Sequence, residues 1–186
     1  MSLALVLPSS GYRDSYLEAL VEYHGEGRYL DRSATTFDAD VARLLAMTDP
    51  AHIEPGFVPQ TSFWLVDEDT YLGRLSLRHE LNEDLLRSAG HIGYEIRPSR
   101  RGERFGKRAL AFGLEKAREI GLARVLLTVH SDNPRSIRVI EANGGVAVYW
   151  KTRFHSGKHP LWSTAIGSTC RPIRRRGNAP CVVCVS

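Results

Sequence analysis

The stretch His91-Ile-Gly-Tyr-Glu-Ile-Arg-Pro-Ser-Arg-Arg-Gly-Glu-Arg-Phe-Gly-Lys-Arg-Ala-Leu110 decides how the chain is read. Its first seven residues place Ile92, Tyr94 and Ile96 on alternate positions and stop at Pro98, which predicts a strand over 91–97. From about Phe105 to Ile120, Leu110, Gly113, Leu114 and Ala117 recur at helical spacing and Gly121 supplies a stop, so a helix follows. The turn between them is basic and contains glycine. Free N–H groups at a helix N-terminus and the positive end of the helix dipole both favour a phosphate. No Gly-x4-Gly-Lys-Ser/Thr can be read through Gly106-Lys107-Arg108, and the dinucleotide pattern Gly-x-Gly-x-x-Gly is missing here as well. The kind of phosphate stays open at this point.

Beyond the helix, Arg124 to His130 reads as an apolar strand of the kind buried on both faces. Ser131-Asp-Asn-Pro134 then opens a second helix, which Asn143-Gly-Gly145 ends. Two strands, Val146 to Phe154 and Leu161 to Ile166, follow. On the N-terminal side, Thr61–Asp67 and Tyr71–His79 flank an acidic turn and form a hairpin, with a short helix or irregular piece over Asn82–Ser88. Before the hairpin come a strand at Leu3–Leu7, a helix over Tyr12–Tyr23, a helix capped by Thr36 or Asp38, and a loop over Ala51–Gln60. The order β-α-α-β-β-(α)-β-α-β-α-β-β predicts an α/β (α+β) domain over 1–166, a mixed sheet with helices on its faces. Residues 167–186 read as a disordered tail.

Composition supports one domain of 186 residues, with 42% hydrophobic and 25% charged side chains. The formal charge of +4 points toward polyanions until it is located. Residues 1–166 carry 21 basic and 21 acidic side chains, so the excess is Arg171, Arg174, Arg175 and Arg176 in the tail. Cys170, Cys181 and Cys184 lie there too, which excludes a cysteine nucleophile, disulfide scaffold or cysteine-ligated metal in the body. Only Cys170 stands near the Cys181-x-x-Cys184 pair, too few ligands for zinc. A lone basic run without interleaved aromatics is a weak nucleic-acid signal. The apolar run before Pro8 is too short for a signal segment, and no stretch is long enough to span a membrane, so the expected setting is cytoplasmic.

Two motifs resemble the GNAT superfamily of acetyl-CoA-dependent N-acetyltransferases, over about Phe63 to Gly145. Arg101-Gly-Glu-Arg-Phe-Gly106 is similar to the superfamily's Gln/Arg-x-x-Gly-x-Gly/Ala signature, and Asn133-Pro-Arg-Ser-Ile-Arg-Val-Ile-Glu-Ala-Asn-Gly-Gly145 to its Asn-x-x-Ala/Ser helix. The resemblance implies a mostly antiparallel sheet with helices on both faces and a splay between the two central strands. It implies that amides from Arg101 through Gly102, Arg104, Phe105 and Gly106 to Lys107 hold the pyrophosphate of acetyl-CoA. The backbone of Tyr94, Ile96 and Arg97 would pair with the pantetheine arm, with the Tyr94 amide polarising the thioester carbonyl. Asn133 and Ser136 would contact that arm or orient the splay. No metal is implied. Arg104 stands where the signature has a glycine, and Ile140 where many members carry a tyrosine that reprotonates the thiolate.

An amine must lose its proton before it attacks, so a base is sought. His91 and Glu95 share one face of the predicted strand and are the candidate catalytic residues, beside a water chain. Arg78 and His79 at the end of the hairpin are candidate substrate contacts, and Phe63 and Trp64 are read as packing. The expected partners are a coenzyme A thioester and a primary amine of a small molecule or peptide, with no membrane or nucleic acid, and a homodimer is compatible. An acyl-CoA-binding module without turnover is the alternative.

Overall fold

The computed structural model describes residues 2–130, 132–148 and 181–185. The first unit is an antiparallel sheet in the order β1-β2-β3-β4, from Leu3–Val6, Gln60–Asp67, Thr70–Arg78 and Ile92–Ile96. Two helices, α1 over Arg13–Gly25 and α2 over Phe37–Ala46, precede β2, and the short α3 over Glu83–Ser88 precedes β4. Asn82 caps α3 by accepting the Leu85 N–H. The chain continues through α4 (Phe105–Glu119), β5 (Val125–Val129), α5 (Pro134–Glu141) and β6 (Val146–Val148). α4, β5 and α5 lie within one or two residues of the stretches expected for them, and β6 begins at the expected Val146.

The C-terminal end departs from expectation. Cys181–Val185 is not a disordered end but a strand, β7, which pairs antiparallel with both β5 and β6. Three of its five residues are valine, a β-branched residue that favours the extended backbone over a loose coil. Residues 149–180, with most of the two strands expected after Gly145 and the four tail arginines, lie outside the described residues.

One bulge sets which side chains reach which face. Val66 pairs with Tyr71 and Leu65 with Gly73, so Leu72 is an extra residue in β3. Beyond it Leu75 and Leu77 turn toward α4, while Arg74, Ser76 and Arg78 turn toward α1 and α2. A residue more or less would exchange the two sets. The α4 face carries a core of Leu75, Leu77, Ile92, Leu110, Leu114, Leu127 and Ile140. On the opposite face Tyr16, Tyr23, Phe37, Trp64 and Tyr71 pack together, with Tyr16 and Trp64 stacked at 5.0 Å. Phe63 and Trp64 are both buried, as packing residues should be. In β5 only Val125, Leu127 and Val129 are buried; Leu126 and Thr128 are partly exposed, so the strand is covered on one face rather than both.

Among the described residues the two sheets are joined at a short seam. Gly90 bridges Leu127, and the His91 N–H donates to the Leu126 carbonyl at 2.7 Å. Gly90 has φ +67°, and a Cβ there would lie 2.3 Å from the Leu126 carbonyl oxygen, so only glycine allows this approach. Past the seam β4 and β5 belong to different sheets, and among the described residues the outer edge of β4 is unpaired, which opens a splay.

Candidate active site

The turn between β4 and α4 forms a cradle of unpaired amides. Among the described residues, the N–H groups of Gly102, Glu103, Arg104, Phe105 and Gly106 have no acceptor, whereas Lys107 and Arg108 donate to the Arg104 carbonyl. They lie at the N-terminus of a 15-residue helix. Gly102 and Arg104 hold positive φ, +92° and +64°, so Arg104 keeps the left-handed backbone that a glycine would take without strain. The fit to an anion is therefore preserved where the side chain departs from the pattern.

The basic cluster around this turn divides in two. Arg101 grips Glu26, just past the end of α1, with both terminal nitrogens, at 2.5 and 2.9 Å, and donates through Nε to the Ile96 carbonyl. Arg100 pairs with Glu103. Arg97 is buried and bonded to Glu22 at 2.5 Å and to the Tyr71 carbonyl. Burial opposes charge on Glu22, yet Arg97 and two hydrogen bonds from Ser99 outweigh it and hold its carboxyl below the ordinary range. Arg104, Lys107 and Arg108 are exposed and have no ion-pair partner among the described residues.

Along β4 the ladder decides which backbone groups are free. Arg97 donates to the Leu72 carbonyl and Arg78 to the His91 carbonyl, so the His91 carbonyl and the backbone of Gly93 and Glu95 face β3 along with the Arg97 N–H, while the His91 N–H turns to β5. Tyr94 and Ile96 point theirs into the splay. The expected pairing of Arg97 with a pantetheine arm is corrected by this alternation, since its N–H serves Leu72 and its carbonyl accepts from Arg100. Across the splay the Tyr94 hydroxyl meets Ser136 Oγ at 2.9 Å, and burial raises its pKa. Asn133 caps α5 by accepting the Ser136 N–H. Ser136 thus ties α5 to β4, while Asn133 orders the start of α5. Ile140 is buried in the core and presents nothing to a leaving group.

The other face of β3 and β4 forms a polar floor. Its middle row is Ser62, Ser76 and Gly93, and a Cβ built on Gly93 would meet no atom within 4 Å. At one end Glu95 is ion-paired with Arg28 and Arg74 and accepts the Tyr29 hydroxyl at 2.5 Å. Guanidiniums of Arg28, Arg32 and Arg74 surround the Tyr29 ring at 5.3, 4.7 and 5.0 Å. At the other end lie Arg78, which donates to the Gly90 carbonyl at 3.0 Å, and His91. His91 Nδ1 accepts the Leu126 N–H at 3.0 Å; burial, then the charge of Arg78, keeps its pKa below the ordinary value. His79 lies instead with Thr61, whose hydroxyl is 2.8 Å from its Nε2, on the α4 side of the sheet. Of the predicted pair Arg78 and His79, only Arg78 faces the floor.

Tyr29, Arg28, Arg32 and Arg74 escape sequence reasoning because three of them sit in a connection without periodicity. The one local signal is Gly25-Glu-Gly-Arg-Tyr29, glycines followed by a cation and an aromatic. Tyr29 has φ +55°, a strained position held by a contact from His24 Nε2 to its carbonyl oxygen.

No curated protein matches the chain by sequence. Among solved structures, RimJ of Mycobacterium smegmatis in complex with CoA-disulfide superposes with a TM-score of 0.64 at 16% identity, covering 98% of this chain and 81% of that one. Microcin C7 self immunity acetyltransferase MccE, in complex with acetyl-CoA and AMP, gives 0.62 at 10% identity, covering 98% and 91%. A spermidine N-acetyltransferase SpeG chimera from Vibrio cholerae and hSSAT gives 0.56 at 16% identity, covering 100% and 95%. At these identities the likeness concerns the fold. A family model described as acetyltransferase (GNAT) domain matches residues 12–146, which span β2 to β4, the amide cradle and α5. The chain therefore belongs to the GNAT family of acetyltransferases.

Proposed function

We propose that the protein transfers the acetyl group of acetyl-CoA directly to a primary amine of a small molecule or peptide. The observation that carries this reading is the run of unpaired amides from Gly102 to Gly106, flanked by Arg104, Lys107 and Arg108. These groups would hold the pyrophosphate. The edge of β4 at Tyr94 and the Ile96 N–H would take the pantetheine arm as an added strand, with the Tyr94 N–H polarising the thioester carbonyl. The amine nitrogen then attacks the carbonyl carbon, the carbon–sulfur bond breaks, and coenzyme A leaves as thiolate. A thiol of pKa about 8.5 leaves near neutral pH without a residue acid, which suits a buried Ile140.

The amine's proton passes to water in the cleft. His91 is a poor acceptor, because a neutral ring whose Nδ1 already takes an amide N–H carries its own proton on Nε2. Glu95, held by two guanidiniums and a phenol, orders the arginines around it. We read both as positioning residues.

Release of free thiol from acetyl-CoA with a panel of amines tests the transfer. Thiol release with at least one amine is expected, and tight CoA binding with none would favour the acyl-CoA-binding reading. Gly106→Val tests the cradle. A Cβ at Gly106 would lie 3.5 Å from Tyr94 and 3.6 Å from Val139, so a methyl fits and a branched side chain fills the gap between β4 and α5. The variant should keep its dichroism spectrum and lose more than roughly tenfold in CoA affinity. Unchanged affinity would sink the site assignment.

A further inference from the structure

The floor between α1, α2 and the sheet carries more positive charge than its own carboxylate can balance. Glu95 is shared by Arg28 and Arg74. Arg32 bonds the Tyr16 hydroxyl at 3.3 Å, and the charge of Asp40 favours its charged form. Arg78 is half-buried, uses one guanidinium N–H on the Gly90 carbonyl, and has no hydrogen bond or ion pair to a carboxylate among the described residues. Burial and the neighbouring charge of Arg74 both push its pKa down, the mark of a cation without a counter-charge. A guanidinium has five donors, and a forked one matches a carboxylate or phosphate oxygen pair.

Arg74 and Arg78 stand four residues apart on β3, about 13 Å along the strand, on the same face. Between them lie Ser76 and the open space over Gly93. The same face reaches the β4 backbone whose Tyr94 amide borders the splay.

We propose that the acceptor carries, beside its amine, an anionic group, a carboxylate or a phosphate, which seats over Ser76 and Gly93 between Arg74 and Arg78. An amino acid-like or phosphorylated amine fits this floor, and a polyamine, which would meet cations at both ends, does not. The assignment rests on the transfer reading above for the role of acceptor, while the anion site itself stands on the arginines.

The experiment compares matched amines with the full-length protein and acetyl-CoA: glycine against glycinamide, phosphoethanolamine against ethanolamine, and spermidine. The anionic member of at least one pair should exceed its neutral partner by roughly tenfold or more in kcat/KM, as expected for a charge-assisted contact. Which pair shows the preference separates carboxylate from phosphate. Arg78→Gln and Arg74→Gln should each reduce that ratio, through KM more than kcat, and leave CoA affinity unchanged. Equal rates within both pairs, preference for spermidine, or a ratio indifferent to both substitutions would overturn the proposal. Calorimetric titration of N-acetylglycine and phosphoethanolamine into the CoA-loaded protein gives a readout without turnover. Binding that Arg78→Gln abolishes, with no thiol release from any amine, would keep the anion site and reject acetyl transfer. Thiol release from neutral amines, with neither probe bound, would do the reverse.

Discussion

Arg104 shows how a single residue can break a sequence pattern while preserving the backbone beneath it. At φ +64° an L side chain is strained, and the penalty is set by the Cβ against the neighbouring carbonyl rather than by the guanidinium. Arg104→Gly should make the protein roughly 0.5–1 kcal/mol more stable, the relieved strain exceeding the entropy of the freer unfolded chain. Urea unfolding measures it; a loss of stability would show that the side chain supports the turn. His91 makes a second prediction. Its folded pKa lies below the ordinary value of about 6.5, so as pH falls through 6.5 the unfolded chain binds a proton that the native ring refuses. Stability is therefore full above that pH, declines below it, and levels off once the native ring is protonated too. His91→Asn retains an acceptor for the Leu126 N–H but does not titrate. Its unfolding midpoint should fall less between pH 7.5 and 5.5 than that of the parent, and equal slopes would refute the account.

Elements are joined here by a few charged ties rather than by hydrophobic contact alone. Arg97 and Arg101, at the end of β4 and in the turn after it, reach Glu22 and Glu26, which lie one turn apart near the end of α1. This staple fixes α1 to the turn that forms the amide cradle. Arg97→Gln leaves Glu22 without its main partner and should cost about 1.5–3 kcal/mol, the range for hydrogen bonds to charged groups. It should also weaken CoA binding, because the turn loses its anchor. If stability falls and CoA affinity is untouched, the staple does not shape the cradle. Composition shows six basic residues in this segment and cannot show that Arg97, Arg100 and Arg101 are spent on protein carboxylates. For Arg97 and Arg101 partners 75 residues away in sequence decide it, and for Arg100 it is Glu103 in the same turn.

At the scale of the molecule, two sheets meet through Gly90 and His91, and the second exists because β7 lies between β5 and β6. Among the described residues, removing 181–185 leaves β5 and β6 with no shared neighbour, each with an unpaired edge. The shortened protein should unfold at lower urea, with a smaller or broader transition, or aggregate, as sizing chromatography and dichroism would report. An unchanged transition would mean that β7 adds nothing to the folded unit. No helix among the described residues is long and apolar enough to cross a membrane.

Local chemistry made much of this legible in the sequence. The strand ending at Pro98, the helix ending at Gly121, the capped helix at Asn133 and the glycine-bearing anion turn each depend on residues within a few positions of one another. Period and capping act over that range. The α4 core followed from the same periodicity. What the tertiary structure alone decided is the set of contacts made across long loops. The bulge at Leu72 turns Arg74 and Arg78 to the floor, the α1–α2 connection brings Tyr29 onto Glu95, and the seam makes His91 Nδ1 the acceptor of the Leu126 N–H. A one-residue shift in pairing changes the face of every side chain that follows, and the energy that selects the register comes from the whole packed sheet rather than from the strand itself.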